Sequence, residues 1–82
     1  MLRLNLALGD TIRRIRTEQG KTLRELGKVS HVSLGHLSDV ERGVKQASLE
    51  VIEEVANGLN LSAAELLKEV YEYLEEQNTC KN

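Results

Sequence analysis

Apolar side chains recur at three- and four-residue intervals in five stretches of the chain, and residues that start or stop helices bound each stretch. Leu8, Ile12 and Ile15 share one face of a first helix, which Gly20 closes as a left-handed cap. Thr22 and Glu25 have the spacing of a capping box and open a second helix with Leu23, Leu26 and Val29 turned inward. Gly27 in this helix costs some helix propensity but leaves room for a neighbouring helix to come close. Ser33 is the natural N-cap of a third helix, which buries Leu37 and Val40 and stops at Gly43. Ser48 caps a fourth, carrying Leu49, Ile52, Val55, Ala56 and Leu59 and ending near Asn60, a residue that tolerates the left-handed conformation. Ser62 and Glu65 form a second capping box, and the helix they open continues through Leu66, Leu67, Val70, Tyr71 and Leu74 to about Gln77. Leu2, Leu4 and Leu6 either extend the first helix or form a short arm; the pattern leaves both open.

The segment from Thr22 to Gly43 therefore reads as two short helices joined by a tight turn, a helix-turn-helix over about 22–42. In this motif the second helix lies in the major groove of DNA with its N-terminal residues nearest the base edges. The outward positions that fall there are Ser33, Leu34, Gly35 and His36, followed by Ser38 and Asp39. Leu34 can pack on a thymine methyl, Gly35 lets the backbone approach the duplex, His36 can donate to a base or phosphate, and Asp39 can accept from a cytosine amino group. Asp39 is equally consistent with a solvated or capping carboxylate, because phosphates repel it, and Leu34 with a leucine packed on the second helix. Candidate phosphate contacts are Thr22 and Arg24 at the start of the second helix, where free backbone N–H groups favour an anion, and Arg42, Lys45 and Gln46 after the third.

Composition narrows this reading. A chain of 82 residues buries one small core, so a single domain is expected, and with aromatics at 2% that core is aliphatic. The net charge of −2 looks wrong for a DNA binder until it is divided along the sequence. Residues 1–46 carry nine basic and five acidic residues, a balance of +4; residues 47–82 carry two basic and eight acidic, a balance of −6. The basic part can meet phosphates, whereas the acidic part is repelled by them or simply solvates a helix face. Cys80, the single cysteine, has no intrachain partner and fits a solvated tail in a reducing compartment. His31, His36 and Cys80 lack metal-ligand spacing, and no Gly-rich phosphate loop or nucleophile elbow occurs, so neither a metal, a cofactor nor catalysis is expected. Without a continuous apolar run at its start, the chain is expected to be soluble and cytoplasmic, associated with the nucleoid.

Several short motifs carry a family resemblance: Leu8-Gly9, Ile12-Arg13, Thr22-Leu23-Arg24-Glu25-Leu26, Val32-Ser33, Leu37-Ser38, Val40-Glu41-Arg42-Gly43, Ser48-Leu49 and Leu61-Ser62-Ala63-Ala64-Glu65-Leu66-Leu67. Over about residues 8–67 the chain resembles the Cro/CI-type (XRE) helix-turn-helix family. Within it, Arg24-Glu25 followed by residues 32–43 is similar to the actinobacterial ClgR subfamily of Clp-gene regulators, with departures at His36, where an aromatic is usual, and at Asp39, where Glu is usual. The resemblance implies an all-α, five-helix DNA-binding domain of the lambda repressor-like kind, here with an extended C-terminal helix over about 62–77. It also implies that Arg16 and Glu41 form a structural ion pair tying the first helix to the third. A module of this size rarely binds specifically alone, so the expected active species is a homodimer on a pseudo-palindromic operator. Its expected interface is Leu66, Val70, Tyr73 and Leu74, rimmed by Glu69, Glu72 and Glu76, with Leu67 and Tyr71 facing the domain's own core. The alternative is a protein-interaction module, such as an antitoxin or a phage-type adaptor, whose acidic last helix engages a protein.

Overall fold

The computed structural model describes residues 2–80, and these form five helices: α1 (Leu2–Glu18), α2 (Leu23–Ser30), α3 (Leu34–Arg42), α4 (Leu49–Gly58) and α5 (Ala63–Cys80). The helix starts follow the capping chemistry. Thr22 Oγ1 accepts from Glu25 N–H at 3.1 Å while Thr22 N–H donates to Glu25 Oε1 at 2.8 Å. Ser62 and Glu65 repeat the exchange at α5, and Ser33 and Ser48 each accept from the backbone three residues on. The stops are left-handed residues: Gly20, His31, Gly43 and Asn60 all have φ between 63° and 74°. His31 ends α2 by donating its backbone N–H to Gly27 O at 3.1 Å, a cap made by a non-glycine residue.

α1 and α5, of 17 and 18 residues, pack on each other. α1 also packs on α3, and α2 packs on α3 and α4, so every helix meets at least two others. Between them lies an aliphatic core that includes Leu8, Ile12 and Ile15 of α1, Leu26 of α2, Leu37 and Val40 of α3, Ile52, Val55 and Leu59 near α4, and Leu66 and Val70 of α5. Two glycines allow the closest approaches. A Cβ at Gly9 would lie 2.5 Å from both Val40 O and Glu41 O, so α1 and α3 touch backbone to backbone there. At Gly58 a Cβ would come within 3.0 Å of Leu26 Cδ1 and Ser30 Cβ, which sets the spacing of α4 against α2.

Three features differ from the sequence pattern, and one that it left open is decided. Val29 is half-exposed, 48%, because the inward place at the end of α2 belongs to Ser30, whose Oγ accepts from Val32 N–H inside the turn. Leu49 is 75% exposed, because the first position of α4 lies past the edge of the core. Leu4 and Leu6 lie on α1, which begins at Leu2, so the N-terminal leucines extend the helix. α5 also continues past Gln77, to Cys80. The side chains of Leu2 and Cys80 lie outside the described residues, as does the expectation of a solvated thiol.

Candidate nucleic-acid interface

α2 and α3 are joined by a three-residue turn and pack on each other. Gly27 eases the corner: a Cβ there would lie 3.3 Å from Val32 O, so the turn would have to give slightly, and 3.6 Å from Leu37 Cδ1, an ordinary contact with α3. With Leu37 and Val40 committed inward, the opposite face of α3 is turned to solvent. Ser33 and Gly35 are exposed, Leu34 is 41% exposed, and a Cβ at Gly35 would touch nothing within 4 Å. One turn on, His36, Ser38 and Asp39 are half-buried. His36 Nε2 is shielded from solvent and has no hydrogen-bond partner among the described residues. That shielded nitrogen turns inward, so any contact His36 makes outward comes from the rest of its ring.

Cations flank this face. Arg24 is exposed near the start of α2 and makes no ion pair among the described residues. Thr22 Oγ1 spends a lone pair on the capping box, which leaves its hydroxyl proton available to an anion. Arg42, Lys45 and Gln46 lie exposed at and just beyond the end of α3. Arg42 and Lys45 both reach Asp39, at 2.6 Å and 3.8 Å. Sequence spacing singled out all three residues but did not join them. Arg13 and Arg14 are held elsewhere: Arg13 lies 3.6 Å from Glu41, and Arg14 bonds Glu69 at 2.8 Å and Glu18 at 3.4 Å. The hydrogen bond that Arg14 donates to Glu69, partly offset by burial and reinforced by Glu18, raises the Arg14 pKa.

Behind the face lies a buried ionic lock. Arg16 Nε donates to Glu41 Oε2 at 2.7 Å and Arg16 Nη2 to Glu41 Oε1 at 3.1 Å, a two-pronged pair with Glu41 only 5% exposed. The remaining guanidinium nitrogen, Nη1, donates to Lys21 O at 2.8 Å. One arginine therefore fixes α1, the approach to α2 and α3 together. Removing Glu41 from such a pair strands the largely buried Arg16 charge, at about 3–5 kcal/mol, whereas removing Arg16 leaves Glu41 the longer contact to exposed Arg13. Glu41 faces away from the outer surface of α3 and is not available to a base.

The expected dimer contacts on α5 need correction. Leu66 is fully buried and Val70 is 4% exposed, so both belong to the domain's own core, while Leu67 and Tyr71 are 44% and 61% exposed. The phase of α5 is set by α1, because Tyr73 donates its hydroxyl to Asp10 Oδ2 at 2.9 Å and Arg14 bonds Glu69. Tyr73 and Leu74 are thereby half-buried against α1, alongside Leu6 and Ala7. Beside the buried strip, α5 is apolar on one flank, at exposed Leu67 and Tyr71 with half-buried Leu74 at its edge, and acidic on the other, at half-buried Glu69 and exposed Glu72 and Glu76.

Five helices with an α2-turn-α3 corner and an exposed, cation-flanked third helix define a helix-turn-helix module. The helix-turn-helix family model matches residues 12–66, and the chain belongs to that family. It is 39% identical over 70 residues to the transcriptional regulator ClgR of Mycobacterium tuberculosis, a match that covers 85% of this chain and 62% of that protein. It is 31% identical over 68 residues to the HTH-type transcriptional regulator DdrOP3 of Deinococcus deserti, covering 83% of this chain and 53% of that one. The chain thus spans less than two thirds of the length of either regulator. Among solved structures, the clp gene regulator ClgR from Corynebacterium glutamicum matches with a TM-score of 0.85 and 40% identity, over 95% of this chain and 83% of its own. The restriction-modification controller protein C.Esp1396I, solved as a tetramer with its natural 35-base-pair operator, shares the fold at a TM-score of 0.80 and 23% identity, over 85% of this chain and 92% of its own.

Proposed function

We propose that this chain is a sequence-specific DNA-binding transcriptional regulator. The observation that carries the reading is the outer face of α3: Ser33, Leu34 and Gly35 are exposed at its start, with uncommitted Arg24 near the start of α2 and Arg42 and Lys45 at and beyond the end of α3. The start of α3 enters the major groove, where Leu34 packs on a thymine methyl and Ser33, His36 and Ser38 contact base edges or ordered water. Gly35 lets the helix axis sit close to the duplex. Thr22, Arg24, Arg42, Lys45 and Gln46 hold the phosphates on either side and supply most of the affinity. The Arg16–Glu41 lock keeps α3 at a fixed angle, so base contacts cost little reorganisation.

The active species is a homodimer. Its seam is the apolar flank of α5, where Leu67, Tyr71 and Leu74 follow one another at four- and three-residue intervals and meet the same residues of a second copy about a two-fold axis. The two α3 helices then address half-sites about 34 Å apart on a pseudo-palindromic operator. The relatives are regulators of transcription, which supports the same role here, and because the C. glutamicum relative is a clp gene regulator, clp genes are the first targets to examine. The function is binding in the cytoplasm rather than catalysis. No helix among the described residues is long and apolar enough to cross a membrane.

Salt dependence tests this reading. Affinity for duplex DNA is expected to fall with salt at a log-log slope of about −0.9 per phosphate neutralised, and Arg24→Ala to make that slope shallower by roughly one. Binding insensitive to both would point instead to a protein partner.

A further inference from the structure

Asp39 sits on the reading face of α3, where an acid faces two polyanionic strands, and its surroundings determine what it does there. Its side chain is 25% exposed, and each of its carboxylate oxygens faces a different cation. Oδ1 accepts from Arg42 Nη2 at 2.6 Å, and Oδ2 lies 3.8 Å from Lys45 Nζ. Arg42 is further steadied by a bond from Nε to Ser38 O at 3.4 Å. Both cations keep more than half of their side-chain surface in solvent, 58% for Arg42 and 61% for Lys45. The acid is the enclosed member of the trio, and the two cations form its outer layer.

We infer that Asp39 acts on DNA through Arg42 and Lys45 rather than on a base: it orients the two cations beside α3 and neutralises part of their charge, which limits how strongly the protein binds phosphate irrespective of sequence. This inference rests on the regulator reading above. A cytosine amino group would have to displace a cation from the carboxylate, whereas a phosphate needs only to share Arg42 or Lys45 with it. The trio carries a net charge of +1 with Asp39 and +2 without it. Non-specific binding is almost wholly electrostatic, so it responds directly to that difference. Exposed ion pairs are weak enough for phosphates to share their cations at little cost. Asp39 is thus a positioning residue that trades bulk affinity for discrimination.

The test is Asp39→Asn, which preserves the shape of the side chain and removes its charge. Binding to the operator selected by the wild type and to an unrelated duplex is measured from about 50 to about 200 mM salt, and base preferences are determined by selection for both proteins. Asp39→Asn is expected to bind the unrelated duplex several-fold more tightly. It should then lose about three- to fourfold more of that affinity across the salt range, which corresponds to one additional phosphate neutralised. The preferred sequence should be unchanged. A double-mutant cycle gives a readout that a merely structural role would not move: Arg42→Gln should reduce the salt slope more in the Asp39→Asn background than in the wild type. Loss of preference at a single base position, with the slope unchanged, would overturn the inference and make Asp39 a base reader. An unchanged slope and unchanged preferences would overturn it as well. If the wild type selects no sequence at all, the regulator reading itself fails, an outcome distinct from either of these.

Discussion

Two glycines, one on α1 and one on α3, serve opposite purposes. Gly9 is pressed against the carbonyls of Val40 and Glu41, so Gly9→Ala forces α1 away from α3 and is expected to cost at least about 1–3 kcal/mol, because the atoms in the way are backbone. Gly35 meets no other part of the protein, so Gly35→Ala should raise stability by up to about 1 kcal/mol and yet weaken DNA binding, since the new methyl meets the duplex. Thermal melting and affinity measured side by side check both; a Gly35→Ala protein that binds as well as the wild type would remove Gly35 from the interface. The sequence made one of these glycines legible and not the other. Gly35 falls among the outward positions of α3, which the period of Leu37 and Val40 determines. A glycine inside a helix reports only a loss of propensity, and what approaches Gly9 depends on how α1 and α3 cross. The Arg16–Glu41 pair was likewise reachable only through the family resemblance, because a separation of 25 residues does not say which acid meets which base. The Asp39–Arg42 contact, by contrast, is a neighbouring pair on a helix surface and lay within reach of spacing alone.

At the scale of elements, the capping residues Thr22, Ser33, Ser48 and Ser62 marked four helix starts, because a hydroxyl three residues ahead of a free backbone N–H is a local feature. The phase of α5 was not local. Leu66, Val70 and Tyr73 form one strip at helical spacing and Leu67, Tyr71 and Leu74 form the adjoining one, and both are apolar enough to be buried. What decides between them is the docking of α5 on α1, where Tyr73 reaches Asp10. That bond gives a pH signature. The hydrogen bond to Asp10, then burial, then the negative charge of Asp10 all raise the Tyr73 pKa above its ordinary value. The folded state therefore holds this proton more tightly than the unfolded state. The stabilisation is complete below the ordinary tyrosine pKa and is lost as pH rises through the raised value. Melting temperatures measured from about pH 8 to about pH 12 should fall more steeply for the wild type than for Tyr73→Phe. Parallel curves would mean that the Tyr73–Asp10 bond does not hold α5 in place.

At the scale of the molecule, the division of charge found along the sequence becomes a division of surfaces. Arg24, Arg42 and Lys45 flank the outer face of α3, whereas Glu69, Glu72 and Glu76 lie along α5. The proposed seam lies on the apolar flank of α5, and Leu67→Glu with Tyr71→Glu should leave the folded monomer intact, since both side chains are exposed. The same double variant should abolish the concentration dependence of the melting temperature that a dimer shows. Persistence of that dependence would place the seam elsewhere. Whether a pair of α3 helices reads DNA is decided by selecting bound duplexes from a random pool. A two-fold symmetric site whose half-sites lie one helical turn, about 34 Å, apart should be enriched. A pool that yields no motif, with only weak binding that salt abolishes, would contradict that reading.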